Sequence, residues 1–327
     1  MDEPSEAEIE KHGASRRPSS ARRVLISPVE VWLPDNPART SLGELPAAVE
    51  INLIPRHGAL PQEMEAVEFL VPPYGSRRVI EALPRLSALR VVQVNSAGVD
   101  WIASSVPEGV ALCSARGSRD ASVAEWVVGA ILDSYKGLAR FRRQQEQAQW
   151  KPRMPRELAG SKALIVGHGS IGRAVEDRLR PFGVEVTGVA SRQRGNTHGV
   201  DALDELLPHA DIVIVLLPAT PETVGLIDKQ KLARLKTGAL LVNAGRGSVV
   251  DMDALCDELE AGRLEAALDV TDPEPLPPES PLWRLPNVLL TPHIAGDSPA
   301  ADQRVYELIG DQIRRHLKGH PLLNVVW

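Results

Sequence analysis

A glycine-rich loop between an apolar strand and a helix constrains the fold of this chain more than any other segment. The stretch ALIVGHGSIGRAVEDRLRPFGVEVTGVA places Gly167, Gly169 and Gly172 in the spacing GxGxxG. The first glycine permits a tight turn, the second lets a pyrophosphate approach the backbone, and the third lets helix and strand pack closely. Free N–H groups at the helix N-terminus attract phosphates. The alternative is a glycine-rich turn without a ligand, but the strand–loop–helix–strand context favours a dinucleotide site.

Short apolar runs on both sides of this loop alternate with helical segments, as in proteins built on parallel sheets. In the second half of the chain, strands are predicted at 163–166, 184–190, 212–217, 239–242, 266–270 and 288–290. The helices between them are predicted at 171–180, 228–235 and 251–261. In the first half, strands are predicted at 24–27, 69–71 and 91–94, with helical pieces at 77–82 and 86–89. A long helix at 123–147, capped by Ser122, and a last helix at 300–318 complete the prediction.

Length and composition limit the class of protein. The 327 residues favour two domains of about 150 residues each, and 43% apolar with 24% charged residues is ordinary for a globular protein. A net charge of −6 argues against nucleic acid as a partner, and the apolar runs are too short to span a membrane. Cys113 and Cys256 predict neither a disulfide framework nor a zinc site, so no metal and a cytoplasmic location are expected. Residues 1–22 are polar and predict a disordered tail rather than a secretory signal.

Charged side chains follow three predicted strands of the second half. Arg246 and Asp269 come at strand ends, Glu274 follows in a proline-rich loop, and His293 comes directly after the next strand. Each has an ordinary alternative, such as a surface salt bridge, a solvated loop charge or a capping histidine. Because the carboxyl ends of parallel strands form the ligand side of such sheets, the set predicts a carboxylate clamp, an acid–base histidine and its carboxylate partner.

The end of the strand after the glycine loop predicts the cofactor. Sheets that select NAD usually place Asp or Glu there, which bonds the ribose 2′-hydroxyl. Here the strand ends at Ala190 and is followed by Ser191, Arg192 and Arg194. Guanidinium groups bind phosphate oxygens in pairs, so NADP(H) is expected to be preferred, with NAD(H) possible. The alternative is that these arginines belong to a solvated turn.

Taken together, the segments GHGSIG, NAGRGSVVD, LDVTDPEPLPPESPLW and NVLLTPHIAG resemble the NAD(P)-dependent D-2-hydroxyacid dehydrogenase family. NSAGVD and SVAE match two further segments, and Thr271–Asp272 resembles the glyoxylate/hydroxypyruvate reductase branch. The resemblance implies a catalytic triad of Arg246, Glu274 and His293. The triad glutamate disfavours formate oxidation, since formate dehydrogenases carry glutamine there.

The resemblance also implies two doubly wound domains. These are a flavodoxin-like substrate domain of residues 23–121 and 298–327, and a Rossmann dinucleotide-binding domain of residues 122–297. The backbone of Ala97–Gly98 would hold the substrate carboxylate, and Asp269 would bond the nicotinamide carboxamide. The remaining residues implied around the cofactor are Ser170, Ile171, Leu217, Pro218, Thr223, Ala244, Gly245 and Gly296. A homodimer is implied through the helix from Val123, with Trp126 on that helix and Trp150 following it.

The expected activity is hydride transfer between NADP(H) and a small 2-keto or D-2-hydroxy acid. Arg246 and the Ala97–Gly98 amides would bind the acid, and His293 would donate a proton beside Glu274. The alternative is a dinucleotide-sensing regulatory protein on the same fold, without significant turnover. Tyr74 and Gly75 are candidate pocket residues, and Arg119, where many relatives have asparagine, is a candidate second anion site. An exposed loop position is the alternative for each.

Overall fold

The computed structural model describes residues 28–193, 195 and 197–327 of the chain, and two parallel sheets organise them. The first contains β1 (Val29–Pro34), β2 (Val49–Ile54), β3 (Phe69–Leu70), β4 (Val91–Gln93) and β5 (Ala111–Cys113). The second contains β6 (Lys162–Val166), β7 (Glu185–Val189), β8 (Thr197–His198), β9 (Ile212–Val215), β10 (Leu240–Asn243), β11 (Glu265–Leu268) and β12 (Val288–Leu290). The α-helices are α1 (Arg77–Ala82), α2 (Asp120–Lys136), α3 (Leu138–Glu146), α4 (Ser170–Leu179), α5 (Leu203–Leu206), α6 (Lys229–Arg234), α7 (Met252–Glu260) and α8 (Pro299–Leu317).

The strand order of each sheet is that of an open, doubly wound α/β structure. The first sheet runs β2-β1-β3-β4-β5 and the second β12-β11-β10-β9-β6-β7-β8, with neighbouring strands parallel. In the second sheet the chain moves outward from β6 in one direction and returns to β9 on the other side. Ligands bind at such a reversal, outside the carboxyl ends of the strands. The predicted fold class of two parallel-sheet α/β domains is confirmed.

Alternate residues of the second sheet's central strands enter two different cores. Leu164 and Val166 pack with α7 and the loops on one face, whereas Ala163 and Ile165 pack with α2 and α4 on the other. Both faces are therefore buried, which explains why these strands are continuous apolar runs in the sequence. The predicted strands and helices of this half are confirmed to within a few residues at their ends.

The last helix packs on the first sheet, far from it in sequence. Val305, Ile309 and Ile313 of α8 share a core with Leu33 of β1 and Phe69 of β3. The chain then forms an antiparallel bridge beside β5, where the N–H of Val326 donates to the carbonyl of Leu112 at 2.8 Å. Residues after 298 therefore help to build the first unit. The predicted boundaries at 121–122 and 297–298 stay predictions.

Three helical predictions are wrong. Residues 86–89 are not helical: α1 ends at Ala82, and Pro84 lies in the short 3₁₀ turn Leu83–Arg85, since proline cannot donate the N–H that a continuing helix needs. Ser122 is not the cap of α2, which begins at Asp120. The predicted helix 123–147 is broken at Gly137, whose φ of +66° ends α2 before α3 begins.

The strand predicted at 24–27 and the tail predicted at 1–22 lie outside the described residues. Strands β1, β2, β5 and β8 and the short helix α5 were not predicted. Within the described ranges, none of the helices combines the length and apolar character that crossing a bilayer requires.

Candidate active site

The glycine loop has the geometry that a dinucleotide requires. Gly167 has a φ of +108°, and a side chain there would meet the backbone of Leu216 at 2.8 Å. A side chain at Gly172 would lie 2.8 Å from the carbonyl of Gly167, so α4 can approach the loop only with glycine here. Gly169, by contrast, faces open space at the start of α4. That open N-terminus is where a pyrophosphate fits.

Two further loops meet the glycine loop at the same edge of the sheet. Leu217 and Pro218 follow β9, and the Thr223 hydroxyl donates to the carbonyl of Pro218 at 2.6 Å. Ala244 and Gly245 follow β10, and a side chain at Gly245 would lie 2.6 Å from the carbonyl of Leu217. The loops after β6, β9 and β10 thus line one crevice. These loops carry most of the residues predicted to line the cofactor cleft, including Ser170 and Ile171 at the start of α4, whereas Gly296 lies against Arg119 in the loop after β12.

The loop after β7 carries the residues predicted to select the cofactor. Ala190 leaves the strand with its N–H donating to the carbonyl of His198 at 3.0 Å, and Ser191 and Arg192 are exposed. Arg194 lies outside the described residues. His168 lies against Gly188 of β7, and its Nε2 is 2.7 Å from Glu176 Oε2.

Arg246 lies in the turn after β10 and is anchored at both ends. The buried Asn243 side chain donates to the Arg246 carbonyl at 3.0 Å and accepts from the N–H of Gly245 at 3.0 Å. At the other end, the guanidinium pairs with Asp100 and donates to the carbonyl of Gly245 at 2.8 Å. A side chain at Gly98 would collide with the guanidinium. The structure therefore brings Arg246 and the Ala97–Gly98 segment together, as the substrate prediction requires.

His293 and Glu274 form a bonded pair. His293 Nδ1 lies 2.6 Å from Glu274 Oε1, and the two side chains are 30% and 41% exposed. Because a carboxylate only accepts, Nδ1 carries the proton in this contact and Nε2 is left for a ligand. The arrangement suits a histidine that exchanges a proton with a substrate.

Asp269 organises the segment that carries His293. Its carboxylate is buried; Oδ1 accepts from Thr291 Oγ1 at 2.6 Å and from the N–H of Ile294 at 2.8 Å, while Oδ2 accepts from the N–H of Ala295 at 2.8 Å. These contacts hold the loop after β12 against the end of β11. A carboxylate has about four acceptor positions, so one remains for a ligand. The nicotinamide role of Asp269 stays a prediction.

Aromatic side chains lie beside the histidine. The ring of Tyr74 lies 6.1 Å from the His293 ring, edge to face, and 5.1 Å from the ring of Trp101. Burial raises the pKa of Tyr74 and outweighs the opposite effect of Arg246, so the phenol stays neutral. Trp101 donates from Nε1 to the hydroxyl of Ser96 at 3.2 Å. Trp101, Asp100 and Asn243 are site residues that the sequence analysis missed.

Arg119 is neither an exposed loop residue nor a free anion site. It is 15% exposed, and its guanidinium donates to the carbonyl of Gly296 at 2.8 Å, to Asp297 at 2.9 Å and to Asp302 at 3.0 Å. Its Nε donates to the carbonyl of Asn95 at 3.0 Å. Two carboxylates and two carbonyls accept from the Arg119 guanidinium. Arg119 lies just before α2, and Gly296, Asp297 and Asp302 lie just before or at the start of α8, so the contacts join the two segments through which the chain passes from one sheet to the other. Among the described residues, no three potential ligand side chains are grouped to hold a metal ion.

Comparison with known proteins agrees with this geometry. Residues 128–295, from α2 to the loop after β12, match the model of the D-isomer specific 2-hydroxyacid dehydrogenase NAD binding domain. This chain belongs to that family. The matched residues include the glycine loop and every strand of the second sheet.

Two curated relatives differ in their named activity. A glyoxylate reductase of Thermofilum pendens is 36% identical over 258 residues, which cover 74% of this chain and 75% of the relative. A D-3-phosphoglycerate dehydrogenase of Archaeoglobus fulgidus is 32% identical over 256 residues, which cover 75% of this chain and 49% of the relative. The match thus spans about half the length of the latter protein.

Two solved structures share the whole fold. A D-isomer specific 2-hydroxyacid dehydrogenase of Xanthobacter autotrophicus Py2, in complex with NADPH and MES, has a TM-score of 0.79 and 30% identity and covers 92% of this chain and 98% of its own. An NADPH-dependent glyoxylate/hydroxypyruvate reductase of Sinorhizobium meliloti, in complex with NADP and sulfate, has a TM-score of 0.78 and 27% identity with the same coverage.

Proposed function

We propose that this protein is an oxidoreductase that reduces a small 2-keto acid to a D-2-hydroxy acid with NADP(H). The observation that supports the proposal is the bonded His293–Glu274 pair, with Arg246 from the end of β10 near enough for the Glu274 charge to raise the pKa of its guanidinium. A bound nicotinamide dinucleotide would supply the hydride. The residues of the glycine loop and of the loops after β9 and β10 would hold it.

Residues of the chain itself would bind the keto acid and supply the proton. Arg246 and the Ala97–Gly98 amides bind the carboxylate and polarise the keto group. His293 Nε2 donates a proton to the carbonyl oxygen as the carbonyl carbon gains hydride, so the keto acid gains one hydride and one proton. Glu274 accepts from Nδ1 and orients the imidazole ring. The hydroxy acid product keeps its carboxylate on Arg246 until it leaves.

The proposed preference for NADP(H) rests on the absence of an acidic residue at Ala190 and on exposed Arg192 next to it. Guanidinium suits a 2′-phosphate, and the two solved relatives above were crystallised with NADPH or NADP. Glyoxylate and hydroxypyruvate are the proposed substrates, because the Thermofilum and Sinorhizobium relatives are named for them and Thr271–Asp272 resembles that branch.

The test follows NADPH oxidation by purified protein with glyoxylate, hydroxypyruvate, pyruvate and 3-phosphohydroxypyruvate. We expect the highest kcat/KM with one of the first two acids and a product of D configuration. If 3-phosphohydroxypyruvate gives the highest kcat/KM, the proposed substrates are wrong and the activity is that of a phosphoglycerate dehydrogenase. Dinucleotide binding without turnover of any acid would overturn the enzymatic proposal in favour of a sensor.

We further propose a homodimer joined through α2, α3 and the segment after them. Leu138, Trp150 and Met154 are 55%, 97% and 92% exposed there. Met154 also lines a cavity of about 600 Å³, together with Tyr135, Phe141 and Arg153, among others. Large apolar side chains that are this exposed indicate a surface that a partner covers. Trp126, in contrast, is half-buried against the core of its own subunit.

Light scattering at micromolar concentration should give the mass of a dimer, and Trp150→Ala should shift the protein toward monomer. A wild-type monomer would overturn the proposal.

We place the protein in the cytoplasm, because Cys113 and Cys256 are both free thiols, which suits a reducing compartment.

A further inference from the structure

The segment that carries Ala97 and Gly98 also supplies an aspartate to the site. Asp100 follows β4 of the first sheet, whereas Arg246 follows β10 of the second. Arg246 Nε donates to Asp100 Oδ2 at 3.0 Å, and Nη2 donates to Oδ1 at 2.9 Å. Two parallel N–H···O bonds to one carboxylate fix both the distance and the plane of a guanidinium.

The remaining donors of Arg246 point to its other edge. Nη1 already donates to the carbonyl of Gly245 at 2.8 Å. A guanidinium carries one N–H on Nε and two on each terminal nitrogen, so within the described residues one N–H on Nη1 and one on Nη2 have no partner. These two N–H groups form the outer edge of the guanidinium, where a second carboxylate can accept a hydrogen bond from each of them.

The surroundings leave the guanidinium little freedom to choose another position. The backbone of Gly98 lies against it so closely that any side chain would collide with Nη2. A side chain at Gly247 would likewise collide with the carbonyl of Thr271, so the backbone next to Arg246 packs directly against the backbone after β11. Asp100 is therefore the side-chain contact that decides how the guanidinium is rotated.

We propose that Asp100 is a positioning residue, which holds one edge of the Arg246 guanidinium so that the other edge presents two N–H groups to the substrate carboxylate. The inference rests on the proposed function, because it names how the substrate clamp of that reaction is aligned. Asp100 acts through Arg246 and does not itself bind the acid. The pair also joins the segment after β4 to the turn after β10.

The electrostatics support a permanent pair. Burial raises the pKa of Asp100, but the hydrogen bond and the charge of Arg246 outweigh it, so the pKa lies below its usual value. Burial lowers the pKa of Arg246, but Asp100 outweighs it in the same way and raises that pKa. Both groups stay charged at neutral pH.

The test compares Asp100→Asn with wild type, using glyoxylate for kinetics and oxamate, a carboxylate analogue of a keto acid, for calorimetric binding to the NADPH-loaded protein. We expect kcat/KM to fall about ten- to a hundredfold, mainly through KM, as for the loss of a bond between charged groups. Oxamate affinity should fall by a similar factor, while NADPH affinity stays within about twofold. Asp100→Glu, which keeps the charge, should recover part of the loss.

Two further variants separate positioning from a general structural effect. Asp35→Asn removes an aspartate that also pairs with an arginine, Arg39 at 3.3 Å, on the exposed surface of the first unit, and should leave KM unchanged. In an Arg246→Gln background, Asp100→Asn should cost no more than about twofold in kcat/KM, since its effect passes through Arg246.

An unchanged KM and oxamate affinity in Asp100→Asn would overturn the inference. So would an equal loss in both backgrounds, or a wild type that does not bind oxamate. If the wild type turns over no keto acid but its oxamate affinity still falls in Asp100→Asn, the proposed reaction fails and the role of Asp100 stands.

Discussion

His293 has a φ of +55°, a left-handed conformation that costs a residue other than glycine of the order of 1–3 kcal/mol. Its N–H donates to the carbonyl of Asp269 at 2.8 Å, and the Asp269 carboxylate accepts the next two N–H groups along the chain. The hydrogen bonds to Asp269 therefore hold the loop backbone in this conformation, and the bond to Glu274 fixes the orientation of the imidazole ring. The imidazole is held in place before any substrate arrives.

Replacing His293 with alanine removes the proposed proton donor. We expect His293→Ala to lower kcat about 10²–10⁴-fold, the usual contribution of general acid catalysis, while NADPH still binds. The measurement is steady-state kinetics together with fluorescence titration of the dinucleotide. His320→Ala, at an exposed histidine after α8, is the matched control and should keep wild-type kcat. A His293→Ala protein with near-normal kcat would remove this histidine from the mechanism.

Arg192 tests the choice of cofactor. Its removal should lower kcat/KM for NADPH about ten- to a hundredfold, as expected for one charge-assisted contact with a phosphate, and leave the value for NADH nearly unchanged. Both cofactors are compared in wild type and in Arg192→Ala. Arg77→Ala, at an exposed arginine of the first unit, is the control. Equal efficiency of the two cofactors in wild type would contradict the proposed preference.

At the scale of elements, burial decides which strands could be predicted. Strand β9 (Ile212–Val215) is buried throughout, so its sequence is an uninterrupted apolar run. Strand β2 (Val49–Ile54) lies at the edge of its sheet and carries Glu50 and Asn52, which gives it no such run. Strand β1 lies inside the sheet and is buried at its centre, but its glutamate and terminal proline leave only a short apolar run, so it was missed as well. Composition alone cannot distinguish such strands from loops.

Helix α8 depends on a glycine for its contact with the first sheet. A side chain at Gly310 would collide with the carbonyl of Leu42, so we expect Gly310→Ala to lower the free energy of unfolding by about 1–3 kcal/mol despite the better helix propensity of alanine. Urea unfolding measures the change. Glu307→Ala, at an exposed position of the same helix, should stay within about 0.5 kcal/mol of wild type. A Gly310→Ala protein of wild-type or higher stability would contradict the prediction and would show that α8 can move away from Leu42 without loss of stability.

At the scale of the whole molecule, the strand-end pattern could predict only the side of the site that the second sheet supplies, whereas Ala97–Gly98 of the first sheet was predicted through the family resemblance. Arg246, Glu274 and His293 follow strands of one sheet, and strand ends of a parallel sheet share an edge, so their grouping could be foreseen. Asp100 and Trp101 come from the other sheet. Their approach depends on how the two units face each other, which no local pattern encodes.

His316 gives the molecule a pH dependence. Burial lowers the pKa of His316 and outweighs nearby Glu68, which raises it, while Arg90 lowers it further. Below the usual histidine pKa of about 6.5, the unfolded chain then binds the proton more readily than the folded one, so stability falls as the pH drops. The free energy of unfolding should increase from about pH 5 to pH 7 and then level off.

Urea unfolding at several pH values, in wild type and in His316→Gln, measures this effect. The variant should show a smaller increase over the same range, whereas exposed His320→Gln should show the wild-type increase. Identical pH profiles for wild type and His316→Gln would exclude His316 as the source.

The packing of α8 on β1 and β3 has a consequence for synthesis. Translation produces the first five strands long before Val305, Ile309 and Ile313, which cover one face of their sheet. The second sheet, whose strands and helices lie between these segments in the chain, can fold as soon as it leaves the ribosome. During that interval the apolar face of the first sheet stays open to water, and to chaperones that bind such surfaces.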